Sequence, residues 1–564
     1  MIDMKYSEII KENNILKNPI EDKYKVALLS NIMVHQLKDI FEYTLRVEGV
    51  YSNVSLGDYD NIVQDSAKFE NENAVIIFWE ICNFIDGLHY KIELLDEKGF
   101  EDIVEKIKIE IDIVLDNLKN IPLIVINKFS SLVFNQHSVS ENRMDKLVVI
   151  FNEYLKDKIQ PNLKIIDVDK VIAKTSISNS VDFRYYYSSK TLYSIEFYKS
   201  YAQYIKPIFL SVNGKSKKAL IFDCDNTLWK GVLGEDGFES IKIFKEIQYL
   251  ALELSRKGVI IGLCSKNNPE DVDAVLETHS DIILRDKDIV IKRVNWTDKV
   301  SNLKSIAIEL NVGLDSLVFL DDSDFEVNLI REELPLVNVF QVPPSEYKYS
   351  MMMKEIMNLF YNPTQTKEDF RKVKMYKDQV KRVDSKQKIG NIDEYLKSLE
   401  LCISVYVDDP NEIARMSQMT QKTNQFNLTT KRYTEKDIRD FINSKNKTVV
   451  AIGVRDKFGD NGVVGLAILD YNDNDFIIDT FLMSCRVLGR NVEYKLMDII
   501  FDIAKESNIE IVHAEYVRTL KNDQVSSLYK NNGFCVTGQE GSSTEYYLAT
   551  NEYKNKNINY IEVE

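Results

Sequence analysis

Two aspartates separated by one residue follow an apolar, strand-like run near the middle of the chain. The run reads Lys218-Ala-Leu-Ile-Phe-Asp-Cys-Asp-Asn-Thr-Leu-Trp229, so Asp223 and Asp225 come at a strand's carboxyl end, where open α/β sheets bind ligands. Asp223 can attack phosphorus as a nucleophile. Asp225 can give a proton to the leaving oxygen and later take one from water. On its own, such a tripeptide is more often a polar turn after a buried strand.

A hydroxyl follows at the end of a second apolar run, Ile260-Ile-Gly-Leu-Cys-Ser265-Lys-Asn. The Ser265 hydroxyl and the backbone amides after it could hold a phosphoryl oxygen, although a lone serine here is usually a helix cap. We group Thr227, Lys266 and Asn267 with it as candidate phosphate-binding residues.

A lysine comes next, in Asn295-Trp-Thr-Asp-Lys299, just before an apolar-periodic helix. Lys299 is well placed to neutralise charge that gathers on a transferring phosphoryl group. Lys292 and Lys304 are rival candidates, and any of the three could be a solvated surface lysine.

A third strand-like run, Ser316-Leu-Val-Phe-Leu, ends in Asp321 and Asp322. Oxygen ligands of this kind suit Mg²⁺. The order of acid pair, hydroxyl, lysine and acid pair resembles the haloacid dehalogenase (HAD) superfamily of phosphatases. That resemblance implies the roles given above to Asp223, Asp225, Ser265 and Lys299. It also implies Asp322 as a direct Mg²⁺ ligand with Asp321 beside it, and Asp223 and the Asp225 carbonyl as the other protein ligands.

The composition indicates a multidomain globular protein. The chain has 564 residues and a formal net charge of −16, with 44% hydrophobic and 28% charged residues, which is ordinary for globular proteins. The negative charge argues against non-specific nucleic-acid binding. No apolar run approaches the ~18 residues of a membrane span, and the first residues lack the order of a signal peptide. We therefore expect a cytoplasmic protein. Six scattered cysteines argue against a disulfide framework or a structural zinc.

Buried strand-like runs alternate with helical stretches over residues 1–215, as in a parallel sheet. Ser30 and Asn31 directly after the first of these strands resemble the SGNH hydrolase-like module. That module normally ends in an Asp-x-x-His motif, but the comparable segment here reads Asp182-Phe-Arg-Tyr185. We therefore predict a non-catalytic SGNH-like α/β module.

A Rossmann-like HAD core is predicted over residues 216–365. Between its first two site-bearing strands there is room for a short flap and one helix, so the cap is minimal. An uncapped site cannot enclose a small metabolite by itself, so the substrate is bulky or another domain covers it. The charged residues 366–399 then favour a helical, solvent-facing linker.

Residues 400–550 alternate like strands and then give Ser484-Cys-Arg-Val-Leu-Gly-Arg-Asn491 before an apolar-periodic helix. A strand, a glycine loop and a helix N-terminus together make an anion site. With the later Tyr529-Lys-Asn-Asn-Gly-Phe, these motifs resemble the GNAT acyltransferase fold, a mixed α+β domain. The resemblance implies that a carrier arm or coenzyme A binds at Arg486, Gly489, Arg490, Asn491 and Tyr529. Residues 551–564 are predicted to be a tail.

Cys485 lies beside this loop. A free cysteine is most often a small buried hydrophobe, but a helix N-terminus and Arg486 nearby would favour its thiolate. The two interpretations are about evenly matched from spacing alone.

Four longer motifs, at residues 223–237, 264–269, 424–433 and 484–490, resemble the FkbH-like family. The resemblance implies a Mg²⁺-dependent glyceryltransferase and phosphatase of polyketide assembly. Such an enzyme takes D-1,3-bisphosphoglycerate and loads D-glyceryl onto the phosphopantetheine thiol of an acyl carrier protein, with Cys485 as the acyl-carrying thiol. A cationic patch would receive the acidic carrier, and we predict it at Lys422, Lys431, Arg432, Arg486 and Arg490.

Two other functions stay open. The chain could be a small-molecule HAD phosphatase whose C-terminal domain is only a lid. It could also be a coenzyme A-dependent GNAT acyltransferase with a regulatory phosphatase region. Neither the pathway product nor the oligomeric state follows from the sequence.

Overall fold

A computed structural model describes residues 4–17, 24–69, 71–134, 141–362, 367–389, 391–472, 474–519 and 521–564. The chain divides into two compact units, Met1–Asn213 and Gly214–Glu564. The predicted class, a multidomain α/β protein, is confirmed, because the chain forms two five-stranded parallel sheets and a larger mixed sheet. The predicted boundary at residues 365 and 366 lies outside the described residues. None of the described helices combines the length and apolar character that a membrane span requires.

The first unit is a parallel sheet in the order β2-β1-β3-β4-β5. Its strands are β1 (Tyr24–Ser30), β2 (Ser52–Leu56), β3 (Ala74–Phe78), β4 (Ile124–Asn127) and β5 (Leu163–Ile166). Its helices are α1 (Tyr6–Ile15), α2 (His35–Arg46), α3 (Ile62–Ser66), α4 (Leu88–Lys91), α5 (Glu97–Asn117), α6 (Arg143–Asp157), α7 (Val168–Thr175), α8 (Ile177–Ser180), α9 (Phe183–Ser189) and α10 (Ile195–Val212). The central strands are continuous apolar runs because helices cover both faces.

The Ser30 and Asn31 side chains form hydrogen bonds between the ends of two strands. The Ser30 hydroxyl donates to the Phe78 carbonyl at 2.8 Å. The Asn31 amide donates to the Glu80 carbonyl at 2.8 Å and accepts from the Glu80 amide at 2.7 Å. Both side chains are buried, so they join β1 to the segment after β3.

The second unit begins with a parallel sheet in the order β10-β9-β6-β11-β12. Its strands are β6 (Ala219–Phe222), β9 (Ile260–Ser265), β10 (Ile291–Val294), β11 (Leu317–Asp321) and β12 (Asn338–Gln341), with a small hairpin of β7 (Trp229–Lys230) and β8 (Lys242–Ile243). Its helices are α11 (Leu233–Asp236), α12 (Lys245–Arg256), α13 (Pro269–Thr278), α14 (Lys299–Leu310), α15 (Asp324–Glu333) and α16 (Glu346–Met357). The hairpin, α11 and α12 are the elements between β6 and β9, so the insertion there is as small as predicted.

An eight-stranded mixed sheet follows, in the order β18-β19-β17-β16-β15-β14-β13-β20. Its strands are β13 (Leu401–Val407), β14 (Lys447–Asp456), β15 (Gly459–Asn472), β16 (Asp475–Met483), β17 (Ile511–Val517), β18 (Cys535–Glu540), β19 (Ser543–Ala549) and β20 (Ile561–Val563). Its helices are α18 (Ile392–Ser398), α19 (Ile413–Lys422), α20 (Glu435–Ile442), α21 (Val492–Glu506) and α22 (Leu528–Asn531). The predicted tail is wrong in part, because β20 pairs in parallel with β13 and extends the sheet.

Helix α17 (Lys367–Ile389) connects the two sheets of the second unit, and it is not the solvent-facing linker that its charged sequence predicts. Met375, Tyr376 and Arg382 are all buried. Tyr376 packs in the apolar cluster that also contains α14 residues, whereas Arg382 pairs with Asp456 on β14. One face of the helix is therefore internal, and Arg382 on that face has a buried partner.

Candidate active site

The parallel sheet brings the predicted phosphoryl-site residues together. Strand β6 lies between β9 and β11, with Phe222 paired to Leu263 on one side and to Leu320 on the other. The carboxyl ends of these three strands therefore meet at one edge, where ligands bind in open α/β sheets.

Lys299 is the lysine that reaches this edge. Its Nζ lies 2.9 Å from Asp223 Oδ1 and 2.6 Å from Asp321 Oδ2, and the side chain is buried. Lys292 pairs instead with two carboxylates away from this edge, Asp273 and Asp286. Lys304 is exposed on α14. Burial thus separates the three candidates that spacing left open.

The buried charges of this cluster shift one another's pKa values. Burial raises the pKa of Asp223 to about 6, although Lys299 acts to lower it and Asp321 to raise it. Burial also raises the pKa of Asp321, against the opposing effect of Lys299. For Lys299, burial works to lower the pKa, but Asp223 and Asp321 outweigh it and raise the pKa above its ordinary value. The lysine therefore stays charged beside its two carboxylate partners.

Three carboxylates could hold a metal ion here. Asp223, Asp321 and Asp322 each offer an oxygen, and these oxygens lie within 4.8 Å of one another. Asp321 accepts from Lys299 and from the Ser323 amide at 3.0 Å. Burial, then the charge of Asp223, raises the pKa of Asp322. The predicted binding of Mg²⁺ by the Asp225 backbone carbonyl stays a prediction.

Asp225 lies outside this carboxylate group and is held by three neutral donors. Its Oδ1 accepts from Trp229 Nε1 at 2.9 Å and from the Leu233 amide at 3.0 Å. Its Oδ2 accepts from Asn267 Nδ2 at 3.0 Å. The sequence pattern did not predict this contact of Trp229, although the place of Trp229 four residues after Asp225 in the same motif was an available signal.

The remaining predicted phosphate-binding residues differ in their hydrogen-bond partners. The buried Ser265 hydroxyl accepts from Asn267 Nδ2 at 3.2 Å, and its bond to Asp223 acts to lower the pKa of that aspartate. The Thr227 hydroxyl is buried without a hydrogen-bond partner among the described residues. The Lys266 ammonium pairs with Glu326 at 2.7 Å, and not with the carboxylates of Asp223, Asp321 and Asp322.

The predicted anion loop of the C-terminal domain is covered by α17. Arg490 is buried and donates to Asp456 Oδ2 at 3.1 Å and to Gln379 Oε1 at 2.8 Å. Arg486 is buried as well, and it donates to the Ser484 hydroxyl and to the Met375 sulfur. Neither guanidinium lies on the surface, and the predicted binding of a carrier arm or coenzyme A at these two residues stays a prediction.

The other residues predicted to bind a carrier arm or coenzyme A differ in exposure. Gly489 is exposed with a φ of +75° and no atom near the place of a Cβ. Asn491 also has a positive φ, and its amide donates to the Tyr560 hydroxyl at 2.6 Å. Tyr529 is only 1% exposed and packs against the Phe534 and Tyr546 rings. Tyr529 is therefore a core residue and does not line a surface groove.

A segment of the chain itself fills the gap where β16 and β17 diverge. Their pairing ends at Ile478 and Ala514. Beyond it, the Leu428 amide donates to the Phe481 carbonyl at 3.1 Å, and the Val517 amide donates to the Leu428 carbonyl at 2.8 Å. Such a gap would otherwise offer unpaired backbone groups to an extended ligand.

Cys485 is partly exposed at the contact between the two sheets of this unit. Its backbone carbonyl accepts a hydrogen bond from the side chain of Asn311, the residue that ends α14. Burial and next the Cys485 thiol raise the pKa of Tyr376, which Arg486 and Arg415 act to lower. The Cys485 thiol therefore lies near the Tyr376 hydroxyl.

The predicted cationic patch does not form as one surface. Lys431 is exposed and pairs with Asp479 at 2.6 Å. Arg432 donates to the Thr420 carbonyl at 2.8 Å, near the end of α19. Lys422 donates to Asn362 at 2.9 Å. Because Arg486 and Arg490 are buried, the five residues do not form one exposed surface, and the prediction of a five-residue patch is wrong.

Comparison with known proteins supports the fold. No protein-family model matches the chain, and no curated protein matches it. Among solved structures, the chain is similar to the N-terminal part of the protein BF1531 from Bacteroides fragilis, described as containing a phosphatase domain complexed with Mg. The identity is 23% and the TM-score 0.55, and the match covers 64% of this chain and 100% of that one.

Two further solved structures give shorter matches. One is the ribosomal-protein-S18-alanine N-acetyltransferase from Escherichia coli, with 10% identity, 28% of this chain, 98% of that chain and a TM-score of 0.22. The other is Ard1 from Thermoplasma volcanium, with 20% identity, coverages of 26% and 97%, and a TM-score of 0.21. At these scores they carry no argument about function.

Proposed function

We propose that this protein is a Mg²⁺-dependent phosphatase coupled to acyl transfer, of the FkbH-like kind. It takes D-1,3-bisphosphoglycerate, removes phosphate and loads D-glyceryl onto the phosphopantetheine thiol of an acyl carrier protein. One observation supports the phosphatase part most directly. The carboxylates of Asp223, Asp321 and Asp322 lie close together, and the Lys299 ammonium contacts two of them.

The charges of this group fit a divalent cation. Three carboxylates and one ammonium leave two negative charges, and closely packed carboxylate oxygens are the ligands that Mg²⁺ prefers. Asp223 and Asp322 would hold the ion, with Asp321 beside them. When bound, Mg²⁺ supplies neutralisation of the phosphoryl oxygens. The BF1531 structure was determined as a complex with Mg, which agrees with this assignment.

The side chains of this edge can divide the work of ester cleavage. Asp223 attacks phosphorus, the bond to the leaving oxygen breaks, and Asp225 gives that oxygen its proton. Asp225 then takes a proton from the water that cleaves the aspartyl-phosphate. Lys299 and Ser265 stabilise the phosphoryl oxygens. The donors that hold Asp225 fix its carboxyl group for both proton transfers.

The acyl-transfer step is assigned to Cys485. Its sulfur attacks the carbonyl carbon of the acyl phosphate, the carbon–oxygen bond to phosphate breaks, and phosphate leaves. The thiol of the carrier arm then takes the glyceryl group from the enzyme thioester. A coenzyme A-dependent transferase is less well supported, because residues 426–428 fill the gap between β16 and β17.

Mass spectrometry of the enzyme with D-1,3-bisphosphoglycerate, Mg²⁺ and a carrier protein tests this proposal. We expect a glyceryl adduct on Cys485 that moves to the carrier. The Cys485→Ser variant should lose loading and keep phosphate release. Loading that persists in this variant would support a phosphatase with a lid, and transfer that requires coenzyme A would support the GNAT alternative.

A further inference from the structure

Three arginines lie buried where α17 packs against the loop that follows Cys485, with little negative charge to balance them. Arg382, Arg486 and Arg490 are 1%, 5% and 4% exposed. Arg490 donates to the backbone carbonyl of Arg486, and Arg486 is the neighbour of Cys485 in the chain. Buried charges are costly unless they are paired and hydrogen-bonded. The pairing of these three cations therefore decides what the cluster can bind.

Among the described side chains, the carboxylate bonded to this cluster is Asp456. It accepts from Arg382 at 2.7 and 2.8 Å and from Arg490 at 3.1 Å, and it also accepts the backbone amides of Phe458 and Gly459. The other carboxylate nearby, Asp378, pairs with Lys381. One carboxylate thus serves two guanidiniums, and its oxygens are already saturated.

In two of the guanidinium groups, one nitrogen lacks a strong acceptor. The Nη1 of Arg382 is buried without a hydrogen-bond partner among the described residues. The Nη1 of Arg486 donates to the sulfur of Met375, and a thioether is only a weak acceptor. Burial, and next the charge of Arg382, lowers the pKa of Arg490 to about 10, with Asp456 opposing. Each observation is what a buried cationic cluster without its anion would show.

We propose that Arg486, supported by Arg382 and Arg490, binds a phosphate group beside Cys485, and that this is the phosphate of the acyl phosphate substrate. A phosphate oxygen would replace the Met375 sulfur as the acceptor of Arg486, and the flexible methionine side chain can move aside. Arginine forms strong, often bidentate bonds to phosphate. The identity of the ligand rests on the proposed glyceryl transfer, but the anion site itself does not.

This placement gives Arg486 a specific task. With the phosphate group on Arg486, the acyl carbon of the same molecule is held near the Cys485 sulfur, and the departing phosphate keeps its charge partner as the carbon–oxygen bond breaks. The phosphate of a phosphopantetheine arm offers similar chemistry, so the experiment must distinguish the two sources.

Alkylation of Cys485 by iodoacetamide, followed by peptide mass spectrometry, tests the site without any turnover. Inorganic phosphate and acetyl phosphate should slow this reaction several-fold and saturably at constant ionic strength. Cys535, which is exposed, is the internal control and should react at an unchanged rate. Protection should disappear in Arg486→Gln and persist in Arg439→Gln, which removes one exposed charge from the same domain.

Three results would decide against the proposal. Absence of protection by either compound would reject the anion site, and so would equal protection in Arg486→Gln. Protection by thiol-blocked 4′-phosphopantetheine alone would assign the site to the carrier arm and reject the acyl phosphate. If Arg486→Gln does not fold, Met375→Leu serves instead. It removes the competing sulfur and should tighten phosphate binding, and unchanged affinity would contradict us.

A parallel assay of glyceryl loading separates this proposal from the function on which it rests. Loading without phosphate protection would reject the anion site alone. Protection without any loading would leave the anion site standing and reject the glyceryl transfer.

Discussion

Lys299 and Asn311 lie at the two ends of helix α14. The Lys299 ammonium contacts Asp223 and Asp321, while the Asn311 side chain donates to the carbonyl of Cys485. The helix has 12 residues, which at 1.5 Å per residue places its ends about 18 Å apart. The two proposed reactive centres are therefore separated by about one helix length. A group bound at one cannot react at the other without moving, as a flexible carrier arm would allow.

Replacing Lys299 by methionine should reduce phosphate release by at least about a hundredfold, because it removes the cation that faces the transferred phosphoryl group. Lys292→Met and Lys304→Met are matched controls. Lys292 pairs with Asp273 instead of the site aspartates, and Lys304 is exposed on α14. Steady-state kinetics at saturating Mg²⁺ would measure all three. Comparable losses in Lys292→Met would contradict the choice of Lys299.

Trp229→Phe should slow the release of poor leaving groups more than that of good ones. The substitution removes the indole N–H that holds Asp225 at 2.9 Å, and a proton donor matters most for an alkoxide leaving group. The kcat for an alkyl phosphate should fall clearly, while the kcat for p-nitrophenyl phosphate stays near that of the wild type. The exposed Trp296 offers the control Trp296→Phe. An equal fall for both substrates would indicate general damage to the fold.

Glu80→Gln should stabilise the first unit at pH 8 and have little effect at pH 5. Burial raises the pKa of Glu80 from 4.5 to about 8, against the effect of the Tyr193 hydrogen bond. As the pH rises between these values, the unfolded chain releases this proton and the folded chain keeps it, so the glutamate destabilises the fold progressively. At pH 8 the gain should be at least about 2 kcal/mol.

Urea unfolding followed by circular dichroism at both pH values measures this effect. Glu101→Gln, at an exposed position on α5, is the control. A gain of equal size at pH 5 and pH 8 would show that burial of the ionised carboxylate is not the cause.

Asp456→Asn should destabilise the second unit by about 3 kcal/mol, because it leaves Arg382 and Arg490 buried without their carboxylate. The Asp456 side chain is fully buried in these pairs. Asp440, on the exposed face of α20, gives the control Asp440→Asn. Thermal unfolding measures both variants, and an unchanged melting temperature for Asp456→Asn would mean that this network does not hold α17 in place.

The phosphoryl-site residues were predictable because each follows its own apolar run, and neighbouring strands of a parallel sheet bring such ends together. The choice among Lys299, Lys292 and Lys304 was not predictable, since all three have similar spacing and only burial distinguishes them. Trp229 was missed because a motif tryptophan is usually core, and its N–H bond to Asp225 depends on the hairpin geometry.

Helix α17 shows where local pattern fails. Its charged sequence is typical of a solvated connector, but the partner of Arg382 lies 74 residues further along the chain. The same long-range contacts bury Arg486 and Arg490, which the loop pattern had placed at the surface. Strand β20 was missed for a related reason, because its pairing with β13 joins residues far apart in sequence.

The central claim is that Asp223 is the nucleophile of a Mg²⁺-dependent phosphoryl transfer. Its most direct measurement is rapid acid quenching of the enzyme with substrate and Mg²⁺, followed by peptide mapping. Asp225→Asn should accumulate a phosphoryl group on Asp223, because the residue that activates water for its removal is lost. Detection of that adduct is the predicted result, and continued phosphate release with the adduct on another residue, or in Asp223→Asn, would contradict the account.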